Sequence, residues 1–197
     1  MVDSLEIAAR QELIQDGGPI YHEFIAESLV KEPWNALSSL VFFIPVIYWV
    51  WKLQGEYRKN LIIVAILPLL FLNGLGSTLF HAFRTSPFFL TLDWLPAVLM
   101  SLLLSTYFWT RILKKWYWGL LIVLGFYVLS ILAFKAAVSL SNNSDLGINV
   151  SYFFTGLGYI IPIIIILGKT RWYQLRLVVF SFTFLSLALL CRILDHP

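Results

Sequence analysis

"NGLGSTLFHAFRTSPFFLTLDWLP", residues Asn73 to Pro96, places a serine, a histidine and an aspartate, Ser77, His81 and Asp93, in or beside two apolar runs. The runs decide the fold. They extend from about residue 60 to 82 and from about 89 to 110. Each matches the roughly 20 apolar residues that a helix needs to cross about 30 Å of hydrocarbon.

Outward from this stretch the pattern repeats at about 34–53, 116–139, 149–168 and 172–194. The expected fold class is all-α, a polytopic membrane helix bundle with six transmembrane helices. The apolar residues are continuous instead of alternating, which excludes an outer-membrane barrel. In lipid, helices satisfy their own backbone groups. Composition agrees: 59% of the 197 residues are hydrophobic, 17% aromatic and 13% charged, with a mean hydropathy of +0.81. Little is left for a soluble domain. The expected division is a polar extracytoplasmic segment, 1–32, followed by a transmembrane bundle, 33–197. Pro45, Pro68, Pro96 and Pro162 fall inside spans and predict bends there.

The polar start lacks the basic opening and apolar centre of a signal peptide. Its "SLEIAARQELIQ", Ser4 to Gln15, predicts a short surface helix ended by Gly17 and Gly18. The single cysteine, Cys191, excludes an internal disulfide framework and a thiolate metal cluster. A net charge of +3, dispersed along the chain, gives no nucleic-acid surface. "NNS" at Asn142 and "NVS" at Asn149 fit the pattern for N-glycosylation.

Basic residues mark the cytoplasmic side. Lys52, Arg58 and Lys59 follow the first span, Arg111, Lys114 and Lys115 the third, and Lys169, Arg171 and Arg176 flank the fifth connection. The opposite side holds Arg10, Lys31, Arg84, Lys135 and Arg192, spread over more sequence. The N-terminus is therefore expected on the extracytoplasmic or lumenal face, as is the C-terminus; bacterial inner membrane and ER or Golgi membrane are equally compatible. This topology delivers Glu32, Asn35, Ser38, Ser77, His81, Asp93, Asp195 and His196 to one side of the bilayer.

Each of these residues has a structural reading: serines and histidines join membrane helices, and an aspartate beside Trp94 can sit at the interface. Together they also suit chemistry. A histidine can hold a metal, a nearby carboxylate can take a proton from metal-bound water, and a hydroxyl one helical turn from the histidine can donate to an oxyanion. Small residues in "GLGS" favour close helix packing.

"EPWNALSSLVFFIPVI" (Glu32 to Ile47), "GLGSTLFH" (Gly74 to His81) and "LDWLP" (Leu92 to Pro96) resemble, in order and approximate spacing, the alkaline ceramidase family. That family belongs to a superfamily of seven-helix membrane hydrolases that includes the adiponectin-type receptors. The resemblance implies a zinc-dependent amidase that cleaves ceramide-like N-acyl lipids, with the membrane lipid as its partner. It implies His81 as a zinc ligand, Asp93 as the carboxylate acting on zinc-bound water and Ser77 as the oxyanion donor. Asn35 and Ser38 resemble the first-helix polar pair, and Asp195 the acidic position at the end of the sixth helix.

The chain departs from the family in three places. The family completes its zinc site with an HxxxH pair on a seventh helix, and no such segment follows "LDHP" here. Truncation of a longer protein is the expectation; loss of the metal, or completion of the site by His22 and His196, are the alternatives. The interval from His81 to Asp93, which contains Pro87, is about one residue longer than in the family. Glu23 and Glu32 resemble part of the calcium-binding segment of animal members, without the other ligands that oxygen-rich Ca2+ coordination requires. Besides a lipid amidase, the sequence therefore admits a lipid sensor on the same fold, and a transporter or scaffold whose polar residues join helices.

Overall fold

The computed structural model describes residues 14, 16–19, 21–141 and 144–194. Of the expected surface helix over residues 4–15 only Ile14 is described, and Asp195, His196 and Asn142 lie outside the described residues. All regular structure among the described residues is helical. The elements are α1 (Pro33–Ser39), a 3-10 turn (Leu40–Phe42), α2 (Phe43–Lys52), α3 (Leu61–Phe83), α4 (Pro87–Leu113), α5 (Trp116–Ser141), α6 (Ser144–Lys169) and α7 (Leu175–Leu194).

Among the described residues five helices are long and apolar enough to cross a membrane: α1 and α2 taken together as Pro33–Lys52, then α3, α4, α5, and α6 over Leu146–Lys169. The sixth expected span becomes α7, whose described apolar stretch, Leu175–Ala188, is shorter than the others. The delay relative to residue 172 has a local cause: Arg171, Trp172 and Gln174 all have positive φ, which interrupts a helix. The first span tightens into a 3-10 turn before Pro45 while its backbone stays right-handed helical. Pro45 has no N–H for the Val41 carbonyl and crowds it, and the 3-10 turn over Leu40–Phe42 falls at that step. Helix continues through Pro68, Pro96 and Pro162. Asn149 of the "NVS" stretch is exposed but lies within α6.

The surface is apolar and much of the interior is polar, as expected of helices solvated by lipid tails. Ile44 and Ile47 are 64% and 68% exposed, whereas Glu32, Ser39, Asn73, Ser77, His81 and Ser130 are buried. The chain is an integral, multi-pass membrane protein.

The chain divides into two compact units, one of residues 1–100 with 181–197 and one of residues 101–180. In the first, α1 and α2 pack against α3. "GLGS" makes that packing close on two sides. A Cβ at Gly74 would come within 2.8 Å of the Phe42 Cβ, and one at Gly76 would collide with the Leu92 backbone of α4. Gly76→Ala is therefore expected to lose about 1–3 kcal/mol through overpacking, read as a lower melting temperature in detergent. An unchanged Tm would mean that α3 and α4 do not approach closely there.

In the second unit α5 and α6 pair along their length, joined by hydroxyls within the membrane-spanning region. Ser130 Oγ lies 2.6 Å from Ser151 Oγ, and Thr155 Oγ1 donates to Ser130 Oγ at 3.1 Å. Trp109 Nε1 donates to the Gly158 carbonyl at 3.1 Å, tying α4 to α6, and Tyr159 donates to Ser101, which lies 2.8 Å from the Tyr127 hydroxyl.

Candidate functional site

One face of α3 carries Asn73, Ser77 and His81 at successive i, i+4 positions, where side chains line up one turn apart. All three are buried. Arg84 follows as the helix C-cap, with φ 53 and its N–H bonded to the Phe80 carbonyl at 2.9 Å. A left-handed arginine is unusual, because only glycine adopts that region without steric cost. Here the side chain supplies the compensation.

Arg84 is 3% exposed and grips two carboxylates. Its Nε and Nη2 donate to the two oxygens of Asp16 at 2.8 and 3.0 Å, and its Nη1 donates to Glu32 Oε1. The Phe80 ring lies 4.5 Å from the guanidinium carbon, and Gly18 donates its N–H to Asp16 at 2.8 Å. Burial, the largest single influence on Arg84, lowers its pKa; the bonds and charges of Asp16 and Glu32 together outweigh it, so the net direction is upward. The guanidinium is held in its charged form.

Glu32, with no exposed surface, uses its second oxygen on His81: Oε2 lies 2.5 Å from Nδ1. An ionised carboxylate only accepts; bonded to one, Nδ1 carries the proton, and in the neutral form of the ring the lone pair is on Nε2. The ring is held edgewise against Phe80 and Tyr21, with centroids 4.9 and 5.3 Å away. Backbone bonds fix the register: Lys31 N–H donates to the Ala82 carbonyl and Glu32 N–H to that of His81, at 2.9 and 3.0 Å. These occupy carbonyls that the end of α3 would otherwise leave without partners.

Glu32 is also the N-cap residue of α1 but makes no capping bond with its side chain. Glu23 does that work from the preceding segment, accepting from the backbone N–H groups of Trp34 and Asn35 at 2.6 and 2.7 Å. The two carboxylates behind the calcium expectation are thus both engaged by protein donors. The positive charge between Asp16 and Glu32 is the Arg84 guanidinium.

Ser77, expected as an oxyanion donor, meets Ser39 of α1 with the two Oγ atoms 2.9 Å apart. Ser39 donates its own proton to the Asn35 carbonyl at 2.7 Å, so Ser77 is the donor in the serine pair. Its hydroxyl must turn to meet any other acceptor. Ser38 bonds the same Asn35 carbonyl at 3.0 Å, on the exposed side of α1. Asp93 lies in the second turn of α4, half-buried. Its backbone carbonyl accepts from Asn73 Nδ2, and its carboxylate has no protein hydrogen bond among the described residues.

Ser77 and His81 therefore share one buried face, and the Asn73 link brings the backbone at Asp93 to the same face of α3. His22 is exposed on the segment before α1. No three His, Cys, Asp or Glu side chains among the described residues form a group able to hold a metal ion. A catalytic zinc takes three protein ligands. The described residues offer it one oriented imidazole and do not fit a complete zinc site.

The sequence gives no role to Asp16 or Asn73, places Ser39 near the start of the first span without a role, and marks Arg84 only as a basic residue on the sparser side. Arg84 did carry a signal: a cation directly after an apolar span, on the side where such residues are few, calls for an acidic partner. Comparison with protein-family models, with curated proteins and with solved structures gives no match.

Proposed function

We propose that the chain is a membrane lipid hydrolase of the alkaline ceramidase type, acting on the amide bond of a ceramide-like N-acyl lipid at the polar face of α3. The observation that carries this reading is the buried Glu32–His81 pair. A carboxylate on one imidazole nitrogen fixes the tautomer, orients the ring and raises the basicity of the other nitrogen, in metal-ligating and proton-transferring histidines alike.

The roles open to this chain's own residues follow. His81 Nε2 can take a proton from an attacking water, or could serve as one ligand of a zinc ion, which would need further ligands that the described residues do not supply. Ser77 can exchange its bond to Ser39 for one to an acyl oxygen, a loss of about 0.5–1.5 kcal/mol that the new bond offsets. Asp93, whose carboxylate has no protein hydrogen bond among the described residues, can accept a hydrogen bond from water or substrate. Lipid would reach these groups from the extracytoplasmic or lumenal leaflet.

The test is turnover of a fluorescent short-chain ceramide by the purified chain in bilayer discs, with and without added zinc. Wild type is expected to release fatty acid, and Glu32→Gln to be about 10–100-fold slower, as when the partner of a working histidine is removed. Absence of product from wild type under both conditions would overturn the reading. A second reading, a lipid sensor or scaffold on the same fold, is favoured by one observation: the Ser77 hydroxyl is already bonded to Ser39. It predicts ceramide binding, or none, without product.

A further inference from the structure

Among the described residues two buried side-chain polar atoms lack a hydrogen-bond partner, Asn35 Nδ2 and Thr106 Oγ1. Only Asn35 lies at the polar face of α3. Everything else polar on its backbone is engaged: the N–H donates to Glu23 at 2.7 Å, and the carbonyl accepts from Ser38 and Ser39 at 3.0 and 2.7 Å. Leaving an amide N–H group buried and unpaired is unfavourable, because its hydration has been lost without replacement.

The place of this donor is defined by its neighbours. Helices α1 and α3 run antiparallel, with Glu32 meeting His81 at one level and Ser39 meeting Ser77 at the next. Asn35 stands between them on α1, three residues after Glu32 and four before Ser39, and so about one turn from each. Its amide therefore falls between the imidazole and the serine hydroxyl along the helix pair. Nδ2 is an uncharged donor about one helical turn from Glu32, whose carboxylate Arg84 and His81 already hold. A carbonyl oxygen is a neutral acceptor that such a donor can bond. Trp34 and Leu37 on the same helix, and Leu40 in the 3-10 turn after it, are exposed, giving an acyl chain an apolar surface on that helix.

We propose that the Asn35 side-chain amide donates a hydrogen bond to the acyl carbonyl oxygen of a bound N-acyl lipid, and so sets the amide carbon beside His81. This rests on the N-acyl lipid reading above, and the experiment separates the two. Binding of a fluorescent six-carbon ceramide and of its N-thioacyl analogue, whose sulfur is a poorer acceptor, is measured on the full chain in bilayer discs.

Wild type is expected to prefer the oxygen probe by about tenfold, the effect of one hydrogen bond. Asn35→Leu is expected to lose that preference, through weaker binding of the oxygen probe alone, while its melting temperature stays the same or rises. Asn35→Ala repeats the measurement with a smaller side chain. An Asn35→Leu chain that keeps the preference, weakens both probes equally or melts markedly earlier would overturn this inference alone. If wild type binds neither probe, both readings fall together.

Discussion

Arg84→Met is expected to lower stability by about 3–5 kcal/mol, the loss typical of breaking a buried ion pair. Methionine matches much of the arginine stem, so the change removes charge more than volume. It strands Asp16 and Glu32, 3% and 0% exposed, without the cation that both bond. The stability of a whole domain is commonly about 5–15 kcal/mol, so such a loss reduces the yield of folded protein as well as its Tm. Restoring charge balance provides the control: Arg84→Met with Asp16→Asn and Glu32→Gln is expected to recover most of the lost stability, because buried ion clusters can be replaced by neutral groups at little net loss. Thermal unfolding of the single and triple variants in one detergent checks this. Equal Tm values for wild type and Arg84→Met would show that the cluster does not anchor the N-terminal segment.

His81→Ala is expected to reduce short-chain ceramide turnover by about 10²–10⁴-fold, the usual contribution of a positioned proton-transfer group. Its stability effect should be smaller than that of Arg84→Met, because Glu32 keeps the Arg84 guanidinium when the imidazole is gone. This contrast separates chemistry from packing. The assay is initial rate at matched fractions of folded protein. Turnover within threefold of wild type would remove His81 from the reaction.

The helices were legible because their cause is local. Span length and apolar continuity place α3 at Leu61–Phe83 against an expected 60–82, and α5 at Trp116–Ser141 against 116–139. Pro45 predicts a bend in the first span, and the tightening into a 3-10 turn at Leu40–Phe42 accompanies packing against α3 that no local rule supplies. The start of α7 was missed because positive φ at Arg171, Trp172 and Gln174 involves residues with no intrinsic preference for that region.

The polar site was legible in part for the same reason. Ser77 and His81 fall on one face by helical spacing alone, and Glu32 arrives at their level once α1 and α3 are antiparallel. The contact between Asp16 and Arg84 spans 68 residues and depends on a segment with no hydrophobic period. The serine pair is equally nonlocal: nothing in "SS" identifies Ser39, and not Ser38, as the residue facing Ser77. Asn35 stood out by its place near the start of α1, but its unpaired amide is visible only after every neighbouring donor and acceptor has been assigned.

The most direct test of the account is the nitrogen spectrum of His81, in chain labelled with 15N-histidine, reconstituted in bilayers and assigned by comparison with His81→Ala. The account predicts a proton on Nδ1, a lone pair on Nε2 when the ring is neutral, and a change in the Nδ1 resonance in Glu32→Gln. A neutral ring protonated on Nε2, or an Nδ1 resonance indifferent to Glu32→Gln, would contradict it.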